Sequence, residues 1–488
     1  MTLSKYRTAT LCATAALLWG AATPAFAETL REALTQAYES NPSLTAARAG
    51  QRATDESVPL AKANGRPDAS INGTYTEFVL TSSNSFAAPS RSFGSDVSVN
   101  VPLYSGGGVK NAVRAAENRV EAGRAGLRGT ESAIFSAVVS AYMDVIRDEA
   151  VVDLNRAQVG VLQVNLEATK DRFEIGDLTR TDVAQSEARL AQAISQMETA
   201  RAGLIRSKEI YIQLVGSVPG DLEAPPPLPN LPANPDEAVS VSLEHNPDLI
   251  AAKEAREASA FDRKSANAAK LPRIGAFSQG SYTNFLGTIA SSIPGFQQSQ
   301  SQKSAQVGIR ATLPLYQGGQ PAAQTRQAQA RLGQAQEQEI AAERDAIAQT
   351  RAAFASLKAS EEVIKSSMRG VAANELSLEG VRAESSVGNR TILDILNAEQ
   401  ELLNSKVQLV TARRNAYVAG FTLLAAMGRA EARDLGLEGG PLYDPLVNYD
   451  AVKSSWNDWA SRPDPKVEAT RTVDTPAQKA EIEALPKY

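Results

Sequence analysis

Val101-Pro102-Leu103-Tyr104-Ser105-Gly106-Gly107 returns 212 residues later as Leu313-Pro314-Leu315-Tyr316-Gln317-Gly318-Gly319. The same offset of 212 takes Tyr142 to Phe354, Gly176 to Gly388, Asp182 to Asp394 and Gly216 to Gly428, with no insertion between these landmarks. Upstream the offset is 205: Asn41-Pro42-Ser43-Leu44 recurs as Asn246-Pro247-Asp248-Leu249, and Arg66-Pro67 as Leu271-Pro272. The difference between 212 and 205 puts a seven-residue length change between Pro67 and Pro102. A unit of this size far exceeds an ankyrin or TPR repeat. The chain is therefore a two-copy fold and not a solenoid.

Each copy reads as a first helix, two alternating strands, one very long helix, a glycine turn and a return helix. The first helix is expected over residues 29–64, ended by Pro67. Over 94–104, Val97, Val99 and Val101 alternate with Asp96, Ser98 and Asn100; in the copy, Val307, Ile309, Ala311 and Leu313 alternate with Gly308, Arg310 and Thr312. That period of two predicts strands with one apolar and one polar face. Weaker strands precede them over 69–80 and 274–282, with Ser-, Gln-, Pro- and Gly-rich hairpin loops over 82–92 and 287–304.

The long helix is expected from Gly108 to Ile175. Val138, Val145, Val152, Val159, Leu166 and Phe173 recur every seventh residue, and Leu357, Ile364, Val371 and Leu378 repeat the column in the second copy. Val183, Leu190, Met197, Leu204 and Tyr211 form another column in the return helix over 178–214, copied by Ile395, Leu402, Leu409, Ala416 and Leu423. A sustained heptad predicts helices that supercoil against neighbours. At ~1.5 Å per residue the long helix spans about 100 Å, and the return helix covers little more than half of it. The first helix has the length to cover the rest, so each copy reads as one long rod beside two short rods laid end to end. Gly176 and Gly388 read as positive-φ helix C-caps. Thr179-x-x-Asp182 and Thr391-x-x-Asp394 read as capping boxes opening the return helices.

Residues 1–27 read as a secretory leader, with Lys5 and Arg7 before the apolar run Ala9 to Ala22 and Ala25-Phe26-Ala27 at the cleavage point. The single cysteine, Cys12, lies inside it. The mature chain from Glu28 is then expected to have no disulfide and no cysteine nucleophile. Loss of Lys5 and Arg7 moves the formal charge from −5 to −7, which argues against nucleic acid as a partner. The remaining divisions are a first repeat at 28–222, a proline-rich linker at 223–240 around Ala224-Pro225-Pro226-Pro227, a second repeat at 241–435, and a C-terminal segment at 436–488. From Arg462 onward that segment is Pro- and charge-rich and is expected to be disordered.

No stretch after residue 27 is long and apolar enough for a transmembrane helix, so a membrane role must come from strands. About ten residues suit a tilted transmembrane strand. Four such strands cannot span a bilayer alone, because their edges would leave backbone groups unpaired in hydrocarbon. A barrel that passes solutes needs on the order of 12 strands or more, hence three copies.

These landmarks resemble the TolC family of outer-membrane export channels. The resemblance is carried by the two Asn-Pro pairs, the two Pro-Leu-Tyr-x-Gly-Gly strand exits and the helix-turn signatures Arg172-Phe173-Glu174-Ile175-Gly176…Thr181-Asp182-Val183 and Ser386-Val387-Gly388-Asn389-Arg390-Thr391-Ile392-Leu393-Asp394-Ile395-Leu396. It implies a mainly α fold: long coiled-coil helices building a periplasmic α-barrel, with four strands per chain in a homotrimeric twelve-stranded outer-membrane β-barrel. It further implies a tip that closes in the periplasm. A periplasmic adaptor and an inner-membrane transporter of RND or ABC type open it, for efflux of small molecules or type I protein secretion. By position, Thr181, Asp182, Arg390 and Asp394 match the closed tip, and the second aspartate ring falls on Asn397. Phe173, Gly176, Val387 and Gly388 match the turns that dock the adaptor.

Nothing in the chain reads as an enzyme or as a site for a metal or cofactor. His245 stands where the repeat has Ser40, and Gly106-Gly107-Gly108 lacks the lysine of a phosphate loop. The alternative is a non-conducting periplasmic spacer or adaptor, although an adaptor's inner-membrane anchor and compact flanking β domains are not visible in the sequence.

Overall fold

The computed structural model describes residues 28–80, 89–289, 295, 297–437 and 442–480; the leader and parts of both hairpin loops lie outside them. The element order repeats as the sequence does. The first repeat contains α1 (Leu30–Ser40), α2 (Pro42–Asp55), α3 (Ser57–Ala63), β1 (Asp68–Glu77), β2 (Arg91–Tyr104), α4 (Gly108–Glu174) and α5 (Arg180–Val215). The second contains α6 (Pro235–His245), α7 (Pro247–Asn267), β3 (Arg273–Asn284), β4 (Ser301–Thr312), α8 (Gln320–Ser386) and α9 (Ile392–Ala426), and α10 (Pro445–Val452) follows. Both long helices have 67 residues and sit 212 apart, about 100 Å each.

Residues 29–64, expected as one helix, are three. Asn41 is extended (φ −67°, ψ 123°) because Pro42 disfavours helical geometry in the residue before it. The second break follows from Pro59, which has no N–H to offer the carbonyl of Asp55. Lys264 occupies the equivalent position in the second repeat, and α7 runs unbroken past it. The Asn-Pro pairs then join the short rods end to end. Asn41 accepts from the N–H groups of Ser43 and Leu44 and donates to the carbonyl of Leu214 at 2.9 Å, near the end of α5. Asn246 accepts from Leu249 and donates to the carbonyl of Ala426 at 3.0 Å, at the end of α9. Each asparagine thus caps the start of one helix and a terminal carbonyl of another.

The helices form a wall. Over its upper half α8, α7, α4 and α2–α3 are neighbours in that order, and over its lower half α8, α9, α4 and α5. The largest core lies at mid-length, where α1, α4, α5 and α9 meet. Phe135, Val138, Tyr142, Leu204, Tyr211 and Phe421 are buried there. Burial forces polar ends inside to find partners. The Tyr211 hydroxyl donates to the Glu28 carboxylate at 2.5 Å, and the Tyr142 hydroxyl lies 2.8 Å and 2.6 Å from the carbonyl oxygens of Glu28 and Glu223. Burial, with the Glu28 carboxylate nearby, pushes both phenols well above their ordinary range. Gly428 (φ +70°) passes so close to the backbone of His245 that a Cβ would sit 2.3 Å from its carbonyl oxygen, so only glycine fits there.

The first heptad column is buried from Val138 to Leu166, but Phe173 at its end is exposed. The wall ends there, and among the described residues no neighbouring rod covers the ring. Residues 462–480 have neither helix nor strand, yet they are held against the body. The N–H of Gln478 donates to Glu209, and Ala480 packs on the mid-length core. These two contacts fall within the segment expected to be disordered from Arg462 onward, of which residues 481–488 lie outside the described residues.

Candidate functional site: a two-faced sheet and two hairpin tips

The four strands form one antiparallel sheet in chain order, β1-β2-β3-β4, leaving β1 and β4 as its edges among the described residues. Register decides what each face carries. Ile71 pairs with Val97, Tyr75 with Phe93, Val99 with Ala69, Val101 with Ala276, and Ala276 with Ile309, so one face is apolar across all four strands. On the other face Ser70 meets Ser98 at 2.9 Å, and Asn72 donates to Asp96 at 3.0 Å. There Asn100 donates to Asp68 at 3.1 Å, Ser281 meets Ser304 at 2.7 Å and Gln306 donates to Gln279 at 2.9 Å. The apolar face is bare: Ile71 is 72% exposed, Val307 84% and Ile309 71%. A sheet that pairs its polar side chains with one another and leaves Ile71, Val97, Val307 and Ile309 exposed is built for an apolar solvent. No helix among the described residues is long and apolar enough to cross a membrane.

At the opposite end, α4–α5 and α8–α9 close in two matched turns. Gly176 (φ +84°) and Gly388 (φ +81°) take the left-handed conformation. Asp177 N–H bonds back to the carbonyl of Arg172, and Asn389 N–H to that of Glu384, so both turns close as Schellman motifs. Phe173, Ile175 and Val387 are exposed around them. Both capping boxes form. Thr179 accepts from the Asp182 N–H, while the Asp182 carboxylate accepts from the Thr179 hydroxyl at 2.7 Å and N–H at 2.9 Å; Thr391 and Asp394 repeat this at 2.8 Å and 3.0 Å. Those threonine donors hold both carboxyls below the usual aspartate range.

Arg390 pairs with Glu384 at 2.7 Å and Arg172 with Asp177, each pair inside its own hairpin. Among the described residues no ion pair joins Arg390 to Asp182, and Thr181 is exposed on the first turn of α5. Asn397 does cross between hairpins, accepting from Arg189 of α5 at 2.7 Å. A second crossing escaped the sequence reading. Glu399 is only 3% exposed and receives Asn165 of α4 at 3.0 Å and Arg382 of α8 at 3.0 Å. The available signal was a carboxylate between Leu396 and Leu403, where the heptad demands an apolar residue. Among the described residues no group of three His, Cys, Asp or Glu side chains could hold a metal ion.

A tube-wall segment of 100 Å helices under a sheet with one bare apolar face is one architecture, and known proteins share it. The outer membrane efflux protein family model matches residues 33–217 and 238–429, one match per repeat. The chain belongs to that family. It is 35% identical to the outer membrane efflux protein BepC of Brucella suis over 88% of this chain and 92% of that protein. Escherichia coli TolC is 26% identical over 86% of each chain. The crystal structure of the outer membrane protein VceC from Vibrio cholerae superposes with a TM-score of 0.71 at 23% identity, over 82% of this chain and 96% of that one. Members of the family are outer-membrane efflux channels and not enzymes. The chain is thus an outer-membrane protein with a large helical part in the periplasm.

Proposed function

We propose that three copies of this chain close into a gated duct for efflux or protein secretion. One observation carries the reading: the amphipathic sheet has two free edges. Their backbone groups cannot remain unpaired in hydrocarbon, and three four-stranded sheets closed edge to edge give a twelve-stranded barrel. The helical wall is open along the outer flanks of α8 and α5 in the same way, and Ile340 and Met368 stand exposed on α8. Closing both layers about one axis yields a continuous tube.

The hairpin tips form its periplasmic end. There Asp182, Thr181, Arg390 and Asp394 of three copies, with Asn397, would surround the axis and hold the closed tip through contacts between copies. The exposed turns at Phe173, Gly176, Val387 and Gly388 would receive a periplasmic adaptor, which with an inner-membrane transporter would open the tip. Extraction of heat-resistant trimers from the outer-membrane fraction, with discrete conductance steps in planar bilayers, tests the reading. Monomers without conductance would favour a periplasmic spacer. Cross-linking from positions beside Gly388 to periplasmic proteins tests the adaptor.

A further inference from the structure

Apart from Trp19 in the leader, the chain has only two tryptophans, Trp456 and Trp459. Both lie just after α10, in a segment with no regular structure that is nonetheless fixed in place. Asn448 donates to Asp55 at 2.6 Å, Arg124 stands 4.7 Å over the Tyr449 ring, and Lys62 donates to the carbonyl of Lys453 at 2.9 Å. Arg66 completes the attachment. Its guanidinium donates to the carbonyl of Ser455 and stacks 4.6 Å from the Trp456 ring. Arg66 is two residues before Asp68, where β1 begins, a separation of about 7 Å at most. The contact therefore holds the Trp456 indole near the helix-side rim of the sheet.

Burial does not explain this placement. Trp456 is 67% exposed and Trp459 is 93% exposed. Indole has an apolar body and one N–H donor, and it concentrates at membrane–water interfaces where both ends are satisfied. The rim is already that kind of surface. Tyr104 closes β2, Tyr316 follows β4, and both are exposed beside Leu103 and Leu315. Arg66, two residues before β1, holds Trp456 beside this rim, and Trp459 follows three residues later.

We propose that Trp456 and Trp459 form an interfacial anchor. The C-terminal segment, strapped to α2 and α3, presents both indoles to the headgroup layer of the leaflet that faces the periplasm, and so sets the depth of the channel in the outer membrane. The occupant of this patch is a phospholipid surface. The inference rests on the membrane-spanning reading of the sheet.

The two residues are also their own probes, because no other tryptophan remains once the leader is gone. Variants Trp456→Phe and Trp459→Phe each leave one reporter. With the protein reconstituted in phosphatidylcholine vesicles, lipid brominated near the top of the acyl chain should lower the emission of each reporter at least twofold. Lipid brominated near the chain end should act less, and aqueous iodide should act weakly. Quenching by iodide alone, in protein that floats with the vesicles and conducts, would overturn the anchor and leave the channel intact. Protection from every quencher until heating separates the trimer would also overturn it, placing the indoles between copies. Failure to float with vesicles would overturn both readings.

Discussion

Asp182 and Asp394 each have a local task that is independent of any gate, since each closes a capping box. In the proposed trimer their charge would face an axis shared by three copies, and its persistence with pH follows from the threonine donors. A carboxyl held below its usual value contributes stability above the unfolded value and loses it as pH falls through the folded one. The unfolded value is about 3.9, so both groups stay ionised across pH 5 to 8. Any cation block at an Asp394 ring should therefore be constant over that range in planar bilayers and weaken only below about pH 4. Asp394→Ala should abolish it. A block that titrates near pH 6 would point to another group. Asn397 adds a condition that the family pattern alone does not suggest. Because Arg189 donates to it at 2.7 Å, a carboxylate introduced there would pair with that guanidinium. Asn397→Asp should accordingly change the block little, and strengthen it only together with Arg189→Ala. Arg390→Ala should raise resting conductance if Arg390 leaves Glu384 for a neighbouring copy when the tip closes. An unchanged resting current would confine Arg390 to its hairpin.

Elements were legible wherever the chain states a geometry twice. Pro-Leu-Tyr-x-Gly-Gly marked both strand exits, and the offset of 212 put both long helices in register to the residue. What was not legible depended on single residues. Pro59 ends α2 through one missing N–H, and its absence from the second repeat made it easy to pass over. Glu399 is polar in sequence and buried in space, because Asn165 and Arg382 reach it from two other helices. That clamp connects both hairpins, so Glu399→Leu should leave helix content intact and loosen the lower wall, seen as faster proteolysis near residues 165 and 382. Unchanged proteolysis would make the clamp incidental. The strands test differently. Val99 lies on the bare face and Ser98 on the hydrogen-bonded one, so Val99→Arg should cost about 2–4 kcal/mol near the bilayer midplane and deplete assembled trimer. Ser98→Arg should assemble. Equal tolerance at both positions would contradict a lipid-facing assignment.

At the scale of the whole molecule, the proposed duct makes one chain a sector and not a finished body. Heptad columns read in sequence do not say which flank meets a helix of the same chain and which meets another copy. Ile340 and Met368 are four heptads apart on α8 and still exposed, whereas the equally apolar Leu357 on that helix is buried by its own chain. Sheet edges offer a cleaner discrimination, because backbone pairing alternates. Along β4, one of any two adjacent residues points its N–H toward β3 and the other points it outward. Ala305→Pro and Gln306→Pro therefore remove one inward and one outward donor between them. An isolated sheet tolerates proline at the outward position, as edge strands do. A barrel closed by β1 of a neighbouring copy tolerates neither, since the outward N–H then bonds across the seam. Both variants should keep the helical circular dichroism of the periplasmic wall and lose heat-resistant trimer. Survival of the trimer in either variant would show that β4 remains a free edge, and closure by three copies would fail with it.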